Sequence, residues 1–243
     1  MNSQVVLIIG ASSTIGCELI REIADENTII LAHYFSNKEE LSNIKKIIKG
    51  EMVLLPADLS KEEELDGLIG TITKDYGTPN KIVLLAAPYF KLSRFKNLKW
   101  DDFKNQIDIQ LRTSVKILNS FLPEMAKKKY GKIVFMLSSY TIGTPPSAMA
   151  HYVTSKYALL GLAKTLSSEY SSKKICVNSI SPSMIETNFL SEIPEMMVQL
   201  TADKHPLKRN GMPSDVIPAI KFLLSDDSNF ITGVNIPITG GGE

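Results

Sequence analysis

The strongest constraint on the fold is an alternation of short apolar runs with helical segments that begins at the first residues. Gln4–Ile9 (QVVLII) is rich in β-branched residues, as in a strand that is buried on both faces. The glycine-bearing turn Gly10–Gly16 (GASSTIG) follows it directly, and then come the helical segment Cys17–Ala24 and the apolar run Thr28–Ala32. This order is a βαβ unit, whose helix N-terminus points free backbone N–H groups at an anion such as a pyrophosphate. A plain tight turn with a serine or threonine N-cap is the alternative.

The same alternation continues along the chain. The further predicted strands are Met52–Leu55, Ile82–Ala87, Gly131–Leu137, Ile175–Ser181 and Phe230–Ile238. The further predicted helices are Glu39–Lys49, Glu62–Asp75, Trp100–Lys127, His151–Glu169 and Asp215–Leu224. Buried strands that alternate with helices predict an α/β fold, a three-layer doubly wound parallel sheet of about seven strands. No low-complexity linker divides the chain, so residues 1–243 are predicted to form a single domain.

Composition excludes several classes of function. The net charge of +1 and the pI of about 7.7 give no reason to expect nucleic acid or an anionic membrane as a partner. Two cysteines imply no disulfide framework, and the three histidines are scattered without metal-ligand spacing, so no catalytic metal is expected. There is no cleavable leader and no apolar run of about 18 residues, which predicts a cytoplasmic protein.

Tyr152 and Lys156 lie four residues apart within His151–Glu169, so a helix places them on one face. A nearby ammonium is expected to lower the phenol pKa from its ordinary value of about 10. Such a pair can move a proton on or off a carbonyl or alcohol oxygen. The chain holds three pairs with this spacing, so the pair carries weight only through its surroundings.

Those surroundings resemble the short-chain dehydrogenase/reductase family over nearly the whole chain. IIGASSTIG is similar to the cofactor turn of that family, and Asp58-Leu59 to its adenine-contacting dipeptide. Ser139 precedes Tyr152 by 13 residues, the usual spacing, and SPSMIET at Ser181–Thr187 resembles the segment near the nicotinamide. The tail, with HPLKRNGMPSDV, FLLSDDSNFITG and a final GGG, is similar to the bacterial 3-oxoacyl-[acyl-carrier-protein] reductase branch.

The resemblance implies a Rossmann fold and a catalytic set. Tyr152 would be the general acid that protonates the nascent alkoxide, and Lys156 would lower its pKa and hold the nicotinamide ribose. Ser139 would hydrogen-bond the substrate carbonyl, with Ser138 as the alternative. Gln110 aligns with the family's helix asparagine, part of a proton relay. The function implied is NAD(P)-dependent reduction of a ketone, including an acyl 3-keto group, to a secondary alcohol.

The resemblance also predicts the cofactor contacts, which fall mainly at strand ends. They are Gly10, Ser12, Ser13, Thr14, Ile15, Gly16, Tyr34, Ser36, Asp58, Leu59, Ala86, Tyr152, Lys156, Pro182, Ile185 and Thr187. Two of them have a purely structural alternative. Asp58 could cap the following helix, and Thr187, expected to hold the nicotinamide carboxamide, could cap a short helix.

The end of the second strand predicts which cofactor is preferred. NAD enzymes of this fold place an acid there to bind the ribose 2′-hydroxyl, but here no acid appears before Glu39. Tyr34, Ser36 and Asn37 can donate hydrogen bonds to a 2′-phosphate, and Lys38 can supply charge. The family's usual arginine for that phosphate is replaced by serine. NADPH is therefore favoured over NADH.

Four departures from the family pattern support a competing hypothesis. Thr14 stands where the family has the middle glycine of the turn, and Leu85–Pro88 replaces the family's Asn-Asn-Ala-Gly after the fourth strand. Gln110 replaces the helix asparagine and is one methylene longer, and Ser183 replaces the glycine after Pro182. The alternative is a catalytically weak homologue that serves as a nucleotide-binding subunit or regulator. A sugar-nucleotide epimerase or dehydratase is a third hypothesis, disfavoured because no separate substrate domain follows the last strand.

The segment near 187–207 is expected to be a lid over the substrate. Met196 and Met197 would give it an adaptable apolar inner face, unless they pack in a subunit interface. The opposite wall is expected from Met149, Phe90 and Tyr140. The predicted substrate is therefore an apolar small molecule or an acyl thioester. Because the helices near 100–127 and 151–169 resemble the family's assembly helices, a homotetramer is expected, with a homodimer as the alternative.

Overall fold

The structure is a computed structural model that describes residues 4–89 and 91–242. The strands are short and mostly apolar: β1 (Gln4–Ile9), β2 (Thr28–Tyr34), β3 (Glu51–Pro56), β4 (Lys81–Leu84), β5 (Gly131–Met136), β6 (Ile175–Pro182) and β7 (Asn235–Ile238). The α-helices run between them: α1 (Thr14–Ile23), α2 (Glu39–Ile47), α3 (Glu62–Asp75), α4 (Trp100–Gln106), α5 (Thr113–Lys128), α6 (Ala150–Tyr170), α7 (Glu195–Lys204) and α8 (Pro213–Leu224).

All seven strands pair in parallel, in the order β3-β2-β1-β4-β5-β6-β7. Since β1 neighbours both β2 and β4, the winding direction reverses between them. Ligands of such sheets bind outside the carboxyl ends of the strands at this reversal. Ile9 pairs with Leu84 as the last residues of β1 and β4, so the residues that follow them form the walls of the crevice.

Two apolar layers enclose the sheet. On one face α3, α5 and α6 pack through residues such as Leu68, Phe121 and Leu159, and on the other α1 and α8 pack through residues such as Ile20 and Ile220. The strands are continuous apolar runs because both of their faces are covered. The predicted three-layer, doubly wound parallel sheet of seven strands is therefore confirmed. No helix within residues 4–89 and 91–242 is long and apolar enough to cross a membrane.

The helix predicted over Trp100–Lys127 is interrupted. Between α4 and α5 the backbone forms a wider π-turn at Ile107–Arg112, where the Thr113 N–H reaches back to the carbonyl oxygen of Asp108. π-turns of this kind occur often at functional sites. Here the widened turn places Gln110 in the buried interior, so the interruption bears directly on the candidate site.

The last predicted strand, Phe230–Ile238, is also shorter than expected. The residues in ladder register with β6 run from Asn235 to Ile238. Gly233 adopts φ +77°, a left-handed conformation that ends the extended run. The side chain of Asn178 binds the preceding loop instead, by donating to the Ile231 carbonyl oxygen (2.8 Å) and accepting from the Val234 N–H (3.2 Å).

Candidate active site

The glycine turn after β1 brings the backbone against the end of β4. Gly10 has φ +85°, and a Cβ atom there would lie 2.8 Å from the Ala86 nitrogen. At Gly16 a Cβ atom would lie 2.5 Å from the Ala11 carbonyl oxygen. Only glycine fits both positions without moving the backbone. The turn therefore packs closely against the end of β4 at the crevice, and its contact with the pyrophosphate of a dinucleotide stays a prediction.

The helix that follows the turn begins at Thr14, with Ser13 as its N-cap. The Ser13 hydroxyl accepts from the Gly16 N–H (3.1 Å) and donates to the Gly10 carbonyl oxygen (2.8 Å). The predicted serine cap is therefore present, and it also braces the turn. Other N–H groups in a first helical turn have no partner within the helix, so an anion can still bind there. The half-buried Ser12, Thr14 and Ile15 lie in the same turn.

His33 ties three strands together at this edge. Its Nδ1 accepts from the Gly10 N–H (3.1 Å), and its Nε2 lies 3.0 Å from the Ala57 carbonyl oxygen. These two bonds require the tautomer protonated at Nε2. The ring is 2% exposed, and burial lowers its pKa from 6.5 to about 4. A histidine just beyond the apolar run Thr28–Ala32 was the only sequence signal for this role.

The low pKa of His33 predicts acid sensitivity. As pH falls from about 6.5 to about 4, the unfolded chain takes up a proton that the folded protein excludes, so stability is lost over that range. The shift corresponds to about 3 kcal/mol. Urea unfolding of the wild type and of His33→Gln, at pH 7 and pH 4, measures it. The wild type should lose about that much more stability than the variant, and an equal loss in both would contradict the assignment.

The end of β2 carries no acidic side chain toward the crevice. Tyr34 is half-buried, and Ser36, Asn37 and the other residues up to α2 are exposed. The Asn37 carboxamide oxygen accepts from the Glu39 N–H (3.1 Å), so Glu39 begins α2 rather than lying at the strand end. Glu40 pairs with Arg21 on α1. The local geometry is consistent with the absence of a ribose-binding carboxylate.

The loop after β3 is held from two sides. Asp58 accepts from the backbone N–H (3.0 Å) and the hydroxyl (2.7 Å) of Ser60, and these bonds are the leading reason that its pKa is lowered. Arg112 of the π-turn donates to the carbonyl oxygens of Leu59 (2.9 Å) and Ser60 (2.8 Å). The helix-capping alternative for Asp58 is wrong, because α3 begins at Glu62 after Lys61 with no side-chain cap, and Asp58 binds Ser60 in the preceding loop. The contact of Asp58 with an adenine stays a prediction. Arg112 was not identified from the sequence.

The replacement of Asn-Asn-Ala-Gly after β4 leaves the strand junction intact. The Leu85 N–H donates to the Ile9 carbonyl oxygen (2.9 Å), so the backbone joins β1 to β4 without the missing amide side chain. The Leu85 side chain is buried in the apolar layer beside α1 and α8. Ala86 follows it and faces Gly10 across the crevice.

Tyr152 and Lys156 of α6 meet the end of β5. The side chains of Tyr152 and Ser138 share a hydrogen bond, and the Lys156 Nζ lies 5.4 Å from the centre of the Tyr152 ring. Lys156 donates to the Met136 carbonyl oxygen (2.9 Å) and is 2% exposed. Ser139, 8% exposed, follows Ser138 at the same strand end. Both serine assignments remain predictions.

The expected lowering of the Tyr152 pKa is wrong for this arrangement. Burial raises the pKa of the phenol, and the hydrogen bond with Ser138 only reduces the rise. Lys156 does not offset it, because its ammonium faces the Met136 carbonyl oxygen and its own pKa falls, through burial, to about 7. Tyr152 is therefore a fully protonated phenol at neutral pH, the form that a general acid requires.

Gln110 connects the π-turn to the catalytic helix through a buried polar chain. Its Nε2 donates to Gln106 Oε1 (2.6 Å) and to Ser155 Oγ (2.9 Å). Ser155 in turn donates to the carbonyl oxygen of Tyr152 (2.8 Å). Gln110 Oε1 is buried without a partner in the described part of the chain, beside a cavity of about 10 Å³. That volume is close to the room needed by one water molecule. Gln106 and Ser155 were not expected from the sequence.

The end of β6 and the segment that follows it lead toward Tyr152. Pro182 and Ile185 are buried, and Ile185 forms a bridge with Gly211. The Thr187 hydroxyl accepts from the Phe189 N–H (3.3 Å), so the short-helix cap considered for Thr187 is present. The Phe189 ring centre lies 6.3 Å from that of Tyr152. No local sequence pattern indicated that Phe189 is an aromatic neighbour of Tyr152.

The expected substrate walls are found only in part. Met149 is buried and Tyr140 is half-buried, and Tyr140 is close enough to Tyr152 to influence its pKa. Met196 and Met197 on α7 are 74% and 43% exposed, so their packing against a substrate or in a subunit interface stays a prediction. Phe90 lies outside the described residues.

Among the residues described, no three histidine, cysteine or acidic side chains are grouped to hold a metal.

Comparison with known proteins identifies the family. The family model described as enoyl-(acyl carrier protein) reductase, a short-chain dehydrogenase/reductase model, matches residues 10–243. The chain belongs to the short-chain dehydrogenase/reductase family. It is 30% identical to the 3-oxoacyl-[acyl-carrier-protein] reductase FabG of Rickettsia conorii over 97% of this chain and 95% of that protein. With FabG of Staphylococcus epidermidis it shares 28% identity over 97% of each chain.

Solved structures agree with this family. A 4-hydroxyisoleucine dehydrogenase complexed with NADH matches with a TM-score of 0.88 and 28% identity, over 98% of both chains. Levodione reductase, at 24% identity, matches with a TM-score of 0.89 over 99% of this chain and 98% of the other, and it supports the fold alone. The protein is an NAD(P)-dependent oxidoreductase of this family, which favours the enzyme over the non-catalytic alternative.

Proposed function

We propose that the protein uses NADPH to reduce a mainly apolar ketone, or the 3-keto group of an acyl thioester, to a secondary alcohol. The observation that carries the proposal is the convergence of Tyr152, Lys156 and the Ser138–Ser139 pair at the carboxyl edge of the sheet. They lie at the edge of the sheet where the Gly10 turn packs against the end of β4, the place proposed for the dinucleotide. A phenol, an ammonium and a hydroxyl at one crevice suit carbonyl reduction.

When bound, the nicotinamide supplies the hydride; the protein supplies orientation and the proton. The Ser139 hydroxyl donates a hydrogen bond to the carbonyl oxygen, where negative charge develops. Tyr152 gives its phenolic proton to that oxygen, which completes the alcohol. Burial of Tyr152 and Lys156 keeps the site largely dry, so these polar groups act in a low dielectric medium.

The remaining residues hold this arrangement in place. The hydrogen bond with Ser138 orients the Tyr152 phenol, and the chain through Ser155 and Gln110 fixes the turn of α6 that carries it. Lys156 would hold the ribose hydroxyls of the cofactor. The set of cofactor contacts from Gly10 to Thr187 is part of the same proposal.

The match to 3-oxoacyl-[acyl-carrier-protein] reductases supports a keto substrate carried on a thioester. The half-buried aromatic side chains near Tyr152 support an apolar group next to the carbonyl. Purified protein with NADPH and a panel of 3-oxoacyl thioesters, simple ketones and hydrophilic sugars tests both points. Turnover of sugars alone would contradict the proposed substrate class.

The preference for NADPH gives a separate prediction. Without a carboxylate at the end of β2, the apo-protein should bind NADPH more tightly than NADH, and the advantage should shrink as salt screens the 2′-phosphate. Tyr34→Asp places a carboxylate at that strand end and should reverse the preference by about tenfold or more. Titration of both reduced cofactors by fluorescence measures the ratio. Tighter binding of NADH to the wild type would overturn the preference.

We further propose a single cytoplasmic domain over residues 1–243 with a lid near 187–207, assembled as a homotetramer or homodimer. Exposed apolar side chains near α4, including Trp100 (68% exposed) and Phe95 (73%), support assembly through this part of the molecule. The net charge of +1 favours neither nucleic acid nor a membrane surface as a partner.

A further inference from the structure

Arg112, the last residue of the π-turn, holds the loop after β3, residues 57–61. One terminal nitrogen of its guanidinium, Nη2, donates to the carbonyl oxygens of Leu59 (2.9 Å) and Ser60 (2.8 Å). The other terminal nitrogen lies 3.4 Å from the carboxylate of Asp108, which belongs to the same π-turn. The guanidinium is therefore held on two sides, by the loop and by the turn that carries it.

The bonds from Arg112 also determine where the carboxylate of Asp58 lies. Ser60 donates its backbone N–H (3.0 Å) and its hydroxyl (2.7 Å) to one carboxylate oxygen of Asp58. The carbonyl oxygen of the same serine accepts from Arg112. The positions of the Asp58 carboxylate and of the Leu59 backbone, the dipeptide proposed to contact the adenine, therefore depend on the π-turn.

The π-turn contacts the catalytic helix as well. Gln110, two residues before Arg112, donates to the hydroxyl of Ser155 on α6 (2.9 Å). Side chains two residues apart point to nearly opposite sides of a helix. One turn of backbone thus sends Gln110 to the helix that carries Tyr152 and Arg112 to the loop after β3.

The guanidinium of Arg112 is not fully satisfied in this position. Its Nε is buried and has no hydrogen-bond partner in the part of the chain that the structure describes. An unpaired buried donor lowers stability, and such departures from full satisfaction are typical of functional sites. This favours a positioning role for Arg112 over stabilisation alone.

We propose that Arg112 is a positioning residue for the adenosine half of the cofactor, because it holds Asp58 and Leu59 in the conformation that binds the adenine. The inference rests on the proposed adenine contact of this dipeptide and extends it to a residue that acts only through the loop. Without Arg112 the loop after β3 exchanges among several conformations. The apparent Kd of the cofactor then rises in inverse proportion to the fraction of molecules whose loop is competent to bind.

The test compares the wild type with Arg112→Met, which keeps an apolar chain but donates no hydrogen bond. Loss of two bonds from a charged donor should leave about a tenth of the molecules with a competent loop, so the Kd of NADPH should rise about 10-fold. Fluorescence titration of the apo-protein measures this Kd without any turnover. The kcat at saturating NADPH should stay within about threefold of the wild type, because Tyr152 and Lys156 lie on α6.

Reduced nicotinamide mononucleotide, which lacks the adenosine, separates positioning from a general disturbance of the fold. Its Kd should change less than about twofold in Arg112→Met. Lys116→Met is the matched control, because Lys116 lies on α5 and pairs with Glu62 and Asp66 of α3 (2.7 Å each). It removes a cation that joins neighbouring parts of the molecule but does not bond residues 57–61, so the Kd of NADPH should stay within about twofold.

Two further variants make every outcome decisive. Arg112→Lys keeps the charge and part of the bonding, so it should fold and raise the Kd of NADPH less than methionine does. Asp58→Ala tests the adenine contact itself. If Asp58→Ala weakens NADPH binding but neither Arg112 variant changes the Kd by more than about twofold, the inference is overturned and the adenine contact stands. If all three leave the Kd unchanged, both fail, and equal weakening of NADPH and the mononucleotide by Arg112→Met would also overturn the inference.

Discussion

Tyr152→Phe is expected to lower kcat by about 10²- to 10⁴-fold, because it removes the proton donor and leaves the ring in place. The phenyl ring still packs against Phe189, whereas the hydrogen bond with Ser138 is lost. Cofactor affinity should change less than about threefold. Steady-state turnover of a ketone, together with a fluorescence titration of NADPH, measures the two effects separately.

Tyr140→Phe is the matched control for this substitution. Tyr140 also carries a phenol, half-buried, whose pKa is raised by burial, and it lies near Tyr152. Loss of its hydroxyl should reduce turnover by less than about tenfold. Comparable turnover in Tyr152→Phe and the wild type would remove the assignment of Tyr152 as the general acid.

Lys156→Met is expected to lower the activity of the protein but to raise its stability. Burial lowers the pKa of Lys156 from 10.5 to about 7, so the folded protein excludes a proton that the unfolded chain holds above pH 7. The wild type should therefore become more stable as pH rises from about 7 toward 10.5. At pH 7 this exclusion of a proton lowers the free energy of unfolding of the wild type by on the order of 4 kcal/mol, and Lys156→Met removes that penalty. The substitution also removes the hydrogen bond to the Met136 carbonyl oxygen, which costs only about 1–3 kcal/mol.

We accordingly expect Lys156→Met to be about 1–3 kcal/mol more stable than the wild type at pH 7, and to lose at least about 100-fold in turnover and most of its NADPH affinity. Urea unfolding at pH 7 and pH 10 gives the stability difference, which should shrink at the higher pH. A variant less stable than the wild type at both pH values would show that Lys156 is retained for packing rather than for chemistry.

The elements that the sequence predicted well are those with a strong local pattern. The β1 run and the glycine turn placed the crevice correctly, because buried parallel strands require continuous apolar runs and Gly10 requires a left-handed backbone. The helix carrying Tyr152 was predicted to within one residue at each end. These features depend on neighbours in the chain and are therefore visible without the fold.

The features that the sequence did not show depend on contacts between distant segments. The bond from Gly10 to His33 spans 23 residues, and the Gln110 contact with Ser155 spans 45. No local pattern shows that a histidine at a strand end is buried or that a glutamine faces another helix. The predicted lowering of the Tyr152 pKa was wrong for the same reason, because the burial that raises this pKa depends on the packed fold.

The central claim is that this protein transfers a hydride to a ketone and a proton from Tyr152 to the resulting oxygen. The most direct test uses NADPH that carries deuterium at the reactive nicotinamide position, with acetophenone or a 3-oxoacyl thioester as acceptor. Mass spectrometry of the product should show a secondary alcohol with one deuterium on the carbinol carbon, formed by the wild type and at least about 100-fold more slowly by Tyr152→Phe. NADPH binding without any deuterated alcohol from either acceptor would contradict the claim.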